Sequence, residues 1–190
     1  MKQLFIIHGY QANPNSHWFN WIAQKIQHYG YTTDIIELPN PHKPEYHAWY
    51  DTLKHHMDHE LNDQTIIIAH SLGVITTLNY LARLSKAPNI KALILISGFH
   101  EKLRNLPELD AFISQTIVRN INAQHILALA ATNDPIVDNA ASNRLSQLLN
   151  INTINIEHDG HFLAEEGYTS FEFLWTQLQH ILNDKKTEVE

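Results

Sequence analysis

The serine at position 71 lies in a short segment whose residue types could make it a nucleophile. Residues 64–73 run Gln-Thr-Ile-Ile-Ile-Ala-His-Ser-Leu-Gly, so an apolar, β-branched stretch ends in the pattern Ala-x-Ser-x-Gly. A helical pattern begins at Leu72. Strand, sharp turn and helix is the context in which a serine hydroxyl is raised above a sheet edge to attack a carbonyl. Ala69 and Gly73 supply the small side chains that so tight a turn requires.

The same residues also allow a simpler interpretation, in which Ser71 does no more than cap the helix. Serine is a favoured N-cap residue, and a small-x-Ser-x-Gly pattern arises often by chance. A serine hydroxyl is a poor nucleophile at neutral pH until a base removes its proton, and that base needs an acidic group to orient it. A catalytic Ser71 therefore requires a histidine and a carboxylate that the fold can bring to it.

Two histidines near the end of the chain are candidates for the base. His158 and His161 both follow the last predicted strand, Thr153–Ile156. Gly160 suits a loop just past a strand and favours His161 as the general base, which would later act as general acid towards the leaving group. A surface histidine is the alternative for either position, because the chain contains 14 histidines.

The acidic partner is predicted to be Asp134. It directly follows the predicted strand His125–Ala131, and Pro135 stiffens the turn in which it lies. Asp138 and Asp159 are its rivals, although Asp138 also fits the cap of a helix at that point. A plain turn-forming role is the alternative for Asp134 itself.

Strand and helix patterns alternate along the chain. The predicted strands are Leu4–His8, Thr32–Leu38, Thr65–Ala69, Ala92–Ser97, His125–Ala131 and Thr153–Ile156, and the predicted helices cover residues 16–29, with Ser16 as N-cap, 46–61, 72–84, 137–149 and 169–182. This alternation predicts an α/β fold, a three-layer sandwich around a mostly parallel six-stranded sheet. The carboxyl ends of such strands meet at one edge, which would bring Ser71, Asp134 and His161 together.

The composition limits the possible functions. A chain of 190 residues fits one domain, assigned here to residues 1–183 with a polar tail at 184–190. The net charge of −7 argues against binding to nucleic acid or to an anionic membrane. The absence of cysteine excludes disulfides and a cysteine nucleophile. With neither a signal-peptide pattern nor a membrane-spanning run, the expected location is cytoplasmic.

One pair of histidines has a spacing that could bind a metal. His55 and His59 lie four residues apart on a predicted helix, but the motif His-Glu-x-x-His is absent. A solvated helix face is the favoured interpretation. The sequence therefore predicts no metal site and no cofactor.

Five segments together resemble the small serine hydrolases related to retinoblastoma-binding protein 9, a family of the α/β-hydrolase superfamily. They are His8-Gly9-Tyr10 with Ser16-His17-Trp18-Phe19-Asn20-Trp21, then Ala69-His70-Ser71-Leu72-Gly73, Asn133-Asp134-Pro135-Ile136-Val137 and Gly160-His161-Phe162. The chain order of serine, aspartate and histidine is also that of the α/β-hydrolase triad. The resemblance covers nearly the whole chain. It implies a compact fold with a minimal cap and a catalytic triad of Ser71, Asp134 and His161.

The triad would need donors for the negative charge that develops on the substrate oxygen. The backbone N–H groups of Leu72, after the nucleophile, and Tyr10, after the first strand, are the expected oxyanion hole. His8 is expected to be a buried residue that supports this strand end.

Trp18, Phe99 and His70 are candidates to line the substrate pocket, although aromatic residues at helical spacing are more often part of a core. Residues 97–124 include a possible short amphipathic helix, Leu109–Val118, and are too short for a large cap. An open site favours small carboxylic esters or amides over long lipids. The alternatives are a protein-binding module with a little-used triad and an acyl thioesterase, and a protein partner is not excluded.

Overall fold

Six strands form one sheet in the computed structural model, which describes residues 1–113, 115 and 121–184. The strands are β1 (Gln3–Ile7), β2 (Thr32–Ile36), β3 (Ile66–His70), β4 (Ile90–Ile96), β5 (Ala123–Ala131) and β6 (Thr153–Ile156). Their order across the sheet is β2-β1-β3-β4-β5-β6, and every neighbouring pair is parallel. The predicted α/β fold class is confirmed.

Helices cover both faces of this sheet. They are α1 (Phe19–Gln27), α2 (Tyr46–Met57), α3 (Leu72–Arg83), α4 (Asp110–Ile113), α5 (Asn139–Leu148) and α6 (Glu172–Asn183), with 3₁₀ turns at Pro107–Leu109 and Ala164–Glu166. One apolar cluster joins residues of α2, α3, α4 and α5 to one sheet face, and a second joins α1 and α6 to the other. The result is the expected three-layer sandwich.

Strand β3 shows why the central strands have continuously apolar sequences. Every residue of Ile66–His70 is buried, because helices cover the sheet on both sides. Ile67 belongs to one apolar cluster, whereas Ile66 and Ile68 belong to the other. This alternation fixes the register of the strand and therefore the position of Ser71, which follows it.

Several predicted helix ends are wrong by two or more residues, and two of them have a clear local reason. The first helix begins at Phe19 and not at Ser16, because His17 has a left-handed backbone with φ of 55° that no helix accommodates. The side chain of Ser16 instead accepts a hydrogen bond from Asn13 N at 3.0 Å. The second helix ends at Met57, so His55 and His59 do not share a helix.

The possible short helix before β5 and the predicted polar tail lie only partly within the described residues. Of the possible helix Leu109–Val118, the structure describes a 3₁₀ turn that ends at Leu109 and helix α4, while 114 and 116–118 lie outside the described residues. Nearly all of the predicted tail also lies outside them. Within the described part of the chain, no helix has the length and apolar character needed to cross a bilayer.

Candidate active site

Ser71 lies on a strained turn between β3 and α3. Its backbone has φ of 55° and ψ of −123°, and its N–H donates to Ile96 O at 2.9 Å. A non-glycine residue held in such a conformation costs about 1–3 kcal/mol, and the surrounding structure has to maintain it. The hydrogen bond to the end of β4 does so from one side. The turn therefore has the geometry of a nucleophile elbow.

Two glycines allow the elbow to approach the end of β1. A Cβ atom added to Gly73 would lie 2.5 Å from the carbonyl oxygen of His8, which is closer than real Cβ contacts allow. A Cβ atom on Gly9 would lie 2.8 Å from Ser71 Cβ. Larger side chains at either position would push the elbow away from the loop that follows β1.

Asp134 and His161 form a buried hydrogen-bonded pair. His161 Nδ1 lies 2.6 Å from Asp134 Oδ2, and the two side chains are only 4% and 1% exposed. The other carboxylate oxygen, Oδ1, accepts the N–H groups of Ile136 and Val137 at 2.8 and 2.9 Å. Since an ionised carboxylate can only accept hydrogen bonds, Nδ1 carries the proton and Nε2 is left as the basic nitrogen.

The rival residues have other partners. Asp138 is the N-cap of α5 and accepts a hydrogen bond from Ala140 N at 2.9 Å. Asp159 accepts one from the side chain of Asn133 at 2.6 Å. His158 Nε2 contacts Glu166 Oε2 at 3.2 Å. The structure thus pairs Asp134 with His161 and places neither rival carboxylate on that imidazole.

Glu166 holds the loop that carries His161. Its Oε2 atom accepts the backbone N–H groups of His161 at 2.8 Å and Leu163 at 2.9 Å, and it also contacts His158. Three groups therefore converge on a single carboxylate oxygen. The sequence analysis missed this role, and the only signal for it is a glutamate five residues after the histidine.

His70 connects the elbow to the same loop. Its Nε2 atom donates to the carbonyl oxygen of His161 at 2.9 Å, and the two rings lie 4.8 Å apart. Complete burial, aided by nearby His161 and His17, holds the pKa of His70 well below its ordinary value of 6.5. A neutral His70 keeps the backbone of His161 at a fixed distance from the turn that carries Ser71.

His8 has the supporting role that the sequence predicted. Its Nδ1 atom donates to Gly9 O at 2.8 Å, and its Nε2 atom accepts the N–H of Leu38 at 3.1 Å. These bonds fix one tautomer, and burial lowers the pKa of the ring. His8 therefore braces the loop after β1 and does not line the cavity described next.

A cavity of about 450 Å³ opens at the carboxyl edge of the sheet. Its lining residues are Gly9, Tyr10, Gln11, Ala12, His17, His70, Ser71, Asn105, Leu106, Glu108, Pro135, Ile136, His161, Leu163 and Glu165. Ser71 and His161 therefore meet at one cavity, and Asp134 lies directly behind His161. Gln11, His17 and Ser71 all have positive φ, so strained backbone is concentrated here.

The predicted pocket residues divide into two groups. Tyr10 and His70 line the cavity, and Leu72 begins the helix next to it. Trp18 and Phe99 do not line it, which corrects the prediction: they are 0% and 1% exposed and pack in the two apolar clusters. Their size and apolar surface are used for core packing, as aromatic residues at helical spacing usually are.

Three ionisable cavity residues were assigned no site role in the sequence analysis. They are His17, Glu108 and Glu165, which lie on segments far apart in the chain. Only the tertiary structure brings a loop after β1, the 3₁₀ turn before α4 and the turn after His161 to one opening. Glu108 Oε1 accepts a hydrogen bond from the Tyr10 hydroxyl at 3.2 Å across this opening.

The sheet order, the strained serine turn and the buried Asp–His pair define an α/β-hydrolase architecture. The sequence model of the serine hydrolase family matches residues 4–180. The chain therefore belongs to the serine hydrolase family.

Individual relatives agree with this assignment. YdeN of Bacillus subtilis (strain 168), named as a candidate hydrolase, is 36% identical over 182 residues, which are 93% of this chain and 94% of YdeN. The crystal structure of YdeN superposes with a TM-score of 0.89 at 33% identity, covering 97% of this chain and all of that one. The serine hydrolase RBBP9 of Rattus norvegicus is 23% identical over 154 residues, covering 78% of this chain and 80% of RBBP9.

A more distant structure shares the fold alone. The monoacylglycerol lipase of Paleococcus ferrophilus has a TM-score of 0.68 at 14% identity, covering 95% of this chain and 93% of the lipase. The suspected family and the fold are thus confirmed.

Proposed function

We propose that this protein hydrolyses small carboxylic esters, and amides more slowly, through an acyl-enzyme on Ser71. The observation that carries the proposal is the buried His161–Asp134 pair at the cavity that Ser71 also lines. His161 Nε2 would take the Ser71 proton as Oγ attacks the substrate carbonyl, and would then give that proton to the departing alcohol or amine. Water would release the acid in a second cycle of the same steps.

The start of α3 and the loop after β1 could supply donors for the negative charge that develops on the substrate carbonyl oxygen. The first N–H groups of a helix have no acceptor within that helix and face the side where the nucleophile lies. We assign the N–H groups of Leu72 and Tyr10 as donors to the oxyanion that forms on the carbonyl oxygen. Asp134 would hold the imidazole in its reactive tautomer and stabilise the imidazolium.

The size of the cavity supports a small substrate. A volume of about 450 Å³ lies in the usual range for small-molecule sites. We therefore expect short acyl chains to react faster than long ones. Amides should be slower because a nitrogen leaving group has to be protonated before it departs.

Covalent labelling with a fluorophosphonate tests the nucleophile directly. We expect one adduct, located by peptide mass spectrometry on Ser71, and complete loss of labelling in Ser71→Ala. Ser97→Ala is the matched control, because Ser97 is also a buried serine with positive φ at the end of a neighbouring strand but does not line the cavity. A label on another residue, or none on the folded protein, would contradict the proposal.

A series of p-nitrophenyl esters from acetate to dodecanoate tests the substrate class. We expect kcat/KM to be highest for acyl chains of two to six carbons. Labelling of Ser71 without hydrolysis of any ester would retain the nucleophile and reject the ester function. Preference for the longest chains would reject the small-substrate assignment.

A further inference from the structure

His17 is the cavity residue whose placement is least explained by folding alone. It lines the opening together with Ser71 and His161, and its backbone is in the left-handed region with φ of 55°. That conformation prevents α1 from beginning before this residue. Histidine is among the side chains that tolerate it better than most, but it remains uncommon outside glycine.

The hydrogen bonds of the ring fix its tautomer. His17 Nδ1 accepts the backbone N–H of Ala164 at 3.0 Å, so Nδ1 carries no proton and the neutral ring has its proton on Nε2. Burial, with nearby His161 adding to the effect, lowers the pKa of His17, while Glu165 and Glu166 oppose this shift. The ring also packs edge-on against Phe19 and His70 at 5.4 and 5.7 Å between centroids. Its orientation is therefore held on several sides.

Within residues 1–113, 115 and 121–184, no acceptor lies within hydrogen-bond range of the His17 Nε2–H group. A fixed donor at the wall of a cavity that also contains the nucleophile and base is suited to a substrate atom.

From this arrangement we propose that His17 is a specificity-determining residue, whose Nε2–H donates to a second oxygen of the substrate, outside the ester group that reacts. This inference rests on the proposed hydrolase function. Charged side chains around the cavity limit the kind of acceptor that can bind there. Glu108 and Glu165 line it, and the lining residues that the structure describes include neither lysine nor arginine. A carboxylate would be repelled, so the acceptor is a neutral carbonyl or ether oxygen.

Paired substrates isolate this hydrogen bond from the rest of the reaction. The probes are p-nitrophenyl 4-oxopentanoate and 5-oxohexanoate. Each is compared with the ester in which a methyl group replaces the ketone oxygen, p-nitrophenyl 4-methylpentanoate or 5-methylhexanoate. The free ketone accepts a hydrogen bond, whereas its partner has nearly the same shape and cannot. For wild type we expect a three- to tenfold higher kcat/KM for at least one keto ester, the range expected for one neutral hydrogen bond.

Two variants separate the donor from the loop contact. In His17→Asn the amide oxygen can still accept from Ala164 N–H, and asparagine tolerates the left-handed backbone, but no donor remains at the Nε2 position. We expect its keto preference, the kcat/KM of each keto ester divided by that of its methyl-bearing partner, to fall to about one, whatever the change in the rate with the partner ester alone. In His17→Gln the amide nitrogen reaches the former Nε2 position, and we expect it to retain part of the preference.

Each outcome bears on the proposal. Wild type that hydrolyses both members of every pair equally would overturn it, whatever the variants do, and leave the hydrolase function intact. Equal preference in wild type and His17→Asn would overturn it as well. Hydrolysis of no ester would instead reject the proposed function, and with it the inference. A loss in His17→Asn that raises KM for the keto ester and leaves kcat unchanged would support it, since it marks a binding contact.

Discussion

The cavity has two sides that are built differently. The sheet side, consisting of Ser71, Asp134 and His161, is buried, and both oxygens of Asp134 accept hydrogen bonds. The outer wall, consisting of Asn105, Leu106 and Glu108 before α4, is more exposed. The side-chain hydrogen bond that joins it to the loop after β1 is the 3.2 Å contact between Tyr10 and Glu108.

This difference follows the demands of the chemistry. The proposed proton transfer between Ser71 and His161 would depend on distances that hold within a fraction of an ångström, so burial and multiple hydrogen bonds would be an advantage there. Substrate selection tolerates a wall that adapts. Changes on the sheet side should therefore cost orders of magnitude in rate, and changes on the outer wall should cost little.

The largest effect is expected for His161. His161→Ala removes the proposed base, and we expect kcat for a short p-nitrophenyl ester to fall by roughly three orders of magnitude or more. His158→Ala is the matched control, since His158 lies three residues earlier on the same loop, and its imidazole contacts Glu166, Phe162 and Tyr168 rather than Asp134. If His158→Ala were the inactive variant and His161→Ala retained its rate, the base would be misassigned.

Asp134→Asn should have the next largest effect. An amide in place of the carboxylate favours the wrong imidazole tautomer, and we expect a decrease in kcat of roughly 10³-fold with the fold intact by circular dichroism. Asp138→Asn serves as the control, because an asparagine still caps α5. Near wild-type activity in Asp134→Asn together with loss in Asp138→Asn would assign the acid to the other aspartate.

Glu166 should have an intermediate effect, because it acts through the loop and not on the substrate. Glu166→Ala removes the acceptor of the His161 and Leu163 N–H groups, and we expect kcat to fall about tenfold with a lower melting temperature. Glu166→Gln retains an acceptor oxygen and should recover much of the loss. Glu157→Ala, at an exposed glutamate shortly before this loop, should change neither quantity. An unchanged kcat in Glu166→Ala would show that the loop needs no bracing.

The buried histidines should make the sheet side sensitive to acid. Burial lowers the pKa of His8 and His70 from 6.5. Below about pH 6.5 the unfolded chain therefore binds more protons than the folded one, and the free energy of unfolding falls as the pH decreases. We expect a constant melting temperature between pH 7 and 8 and a decline below 6.5. In His70→Gln the melting temperature should decline less steeply. The corresponding slope of the free energy of unfolding should be smaller by up to about 1.4 kcal/mol per pH unit, because one titrating group has been removed. An equal decline in both proteins would contradict the assignment.

The smallest effect is expected on the outer wall. Tyr10→Phe removes the hydroxyl that contacts Glu108 but keeps the backbone N–H assigned to the oxyanion hole. We expect kcat/KM to change by about twofold, because a single exposed hydrogen bond contributes little. The measurement is steady-state hydrolysis of the same short ester. A decrease of a hundredfold or more would show that the outer wall is as rigidly required as the sheet side.

Much of the sheet side was predictable because its signals are local. An apolar run followed by Ala-His-Ser-Leu-Gly predicts the elbow, and Asp134 and His161 each lie in the loop that follows a strand. Parallel strands then bring their ends to one edge without further information. The choice between Asp134 and Asp138 could not be made from spacing alone, since both lie near the same helix start and only one reaches the imidazole.

The outer wall and the roles of His17 and Glu166 were decided only by the tertiary structure. His17 contacts Ala164 from 147 residues away in the chain, and Glu108 meets Tyr10 across 98 residues. No local pattern marks such pairs, because their partners come together only after the layers of the sandwich have packed. Trp18 and Phe99 show the converse: their residue types suited a pocket, but the core needed their apolar volume. By itself the sequence determined the fold and the candidate chemical groups, because periodicity and turn chemistry act locally. Packing decided which of those groups face the cavity.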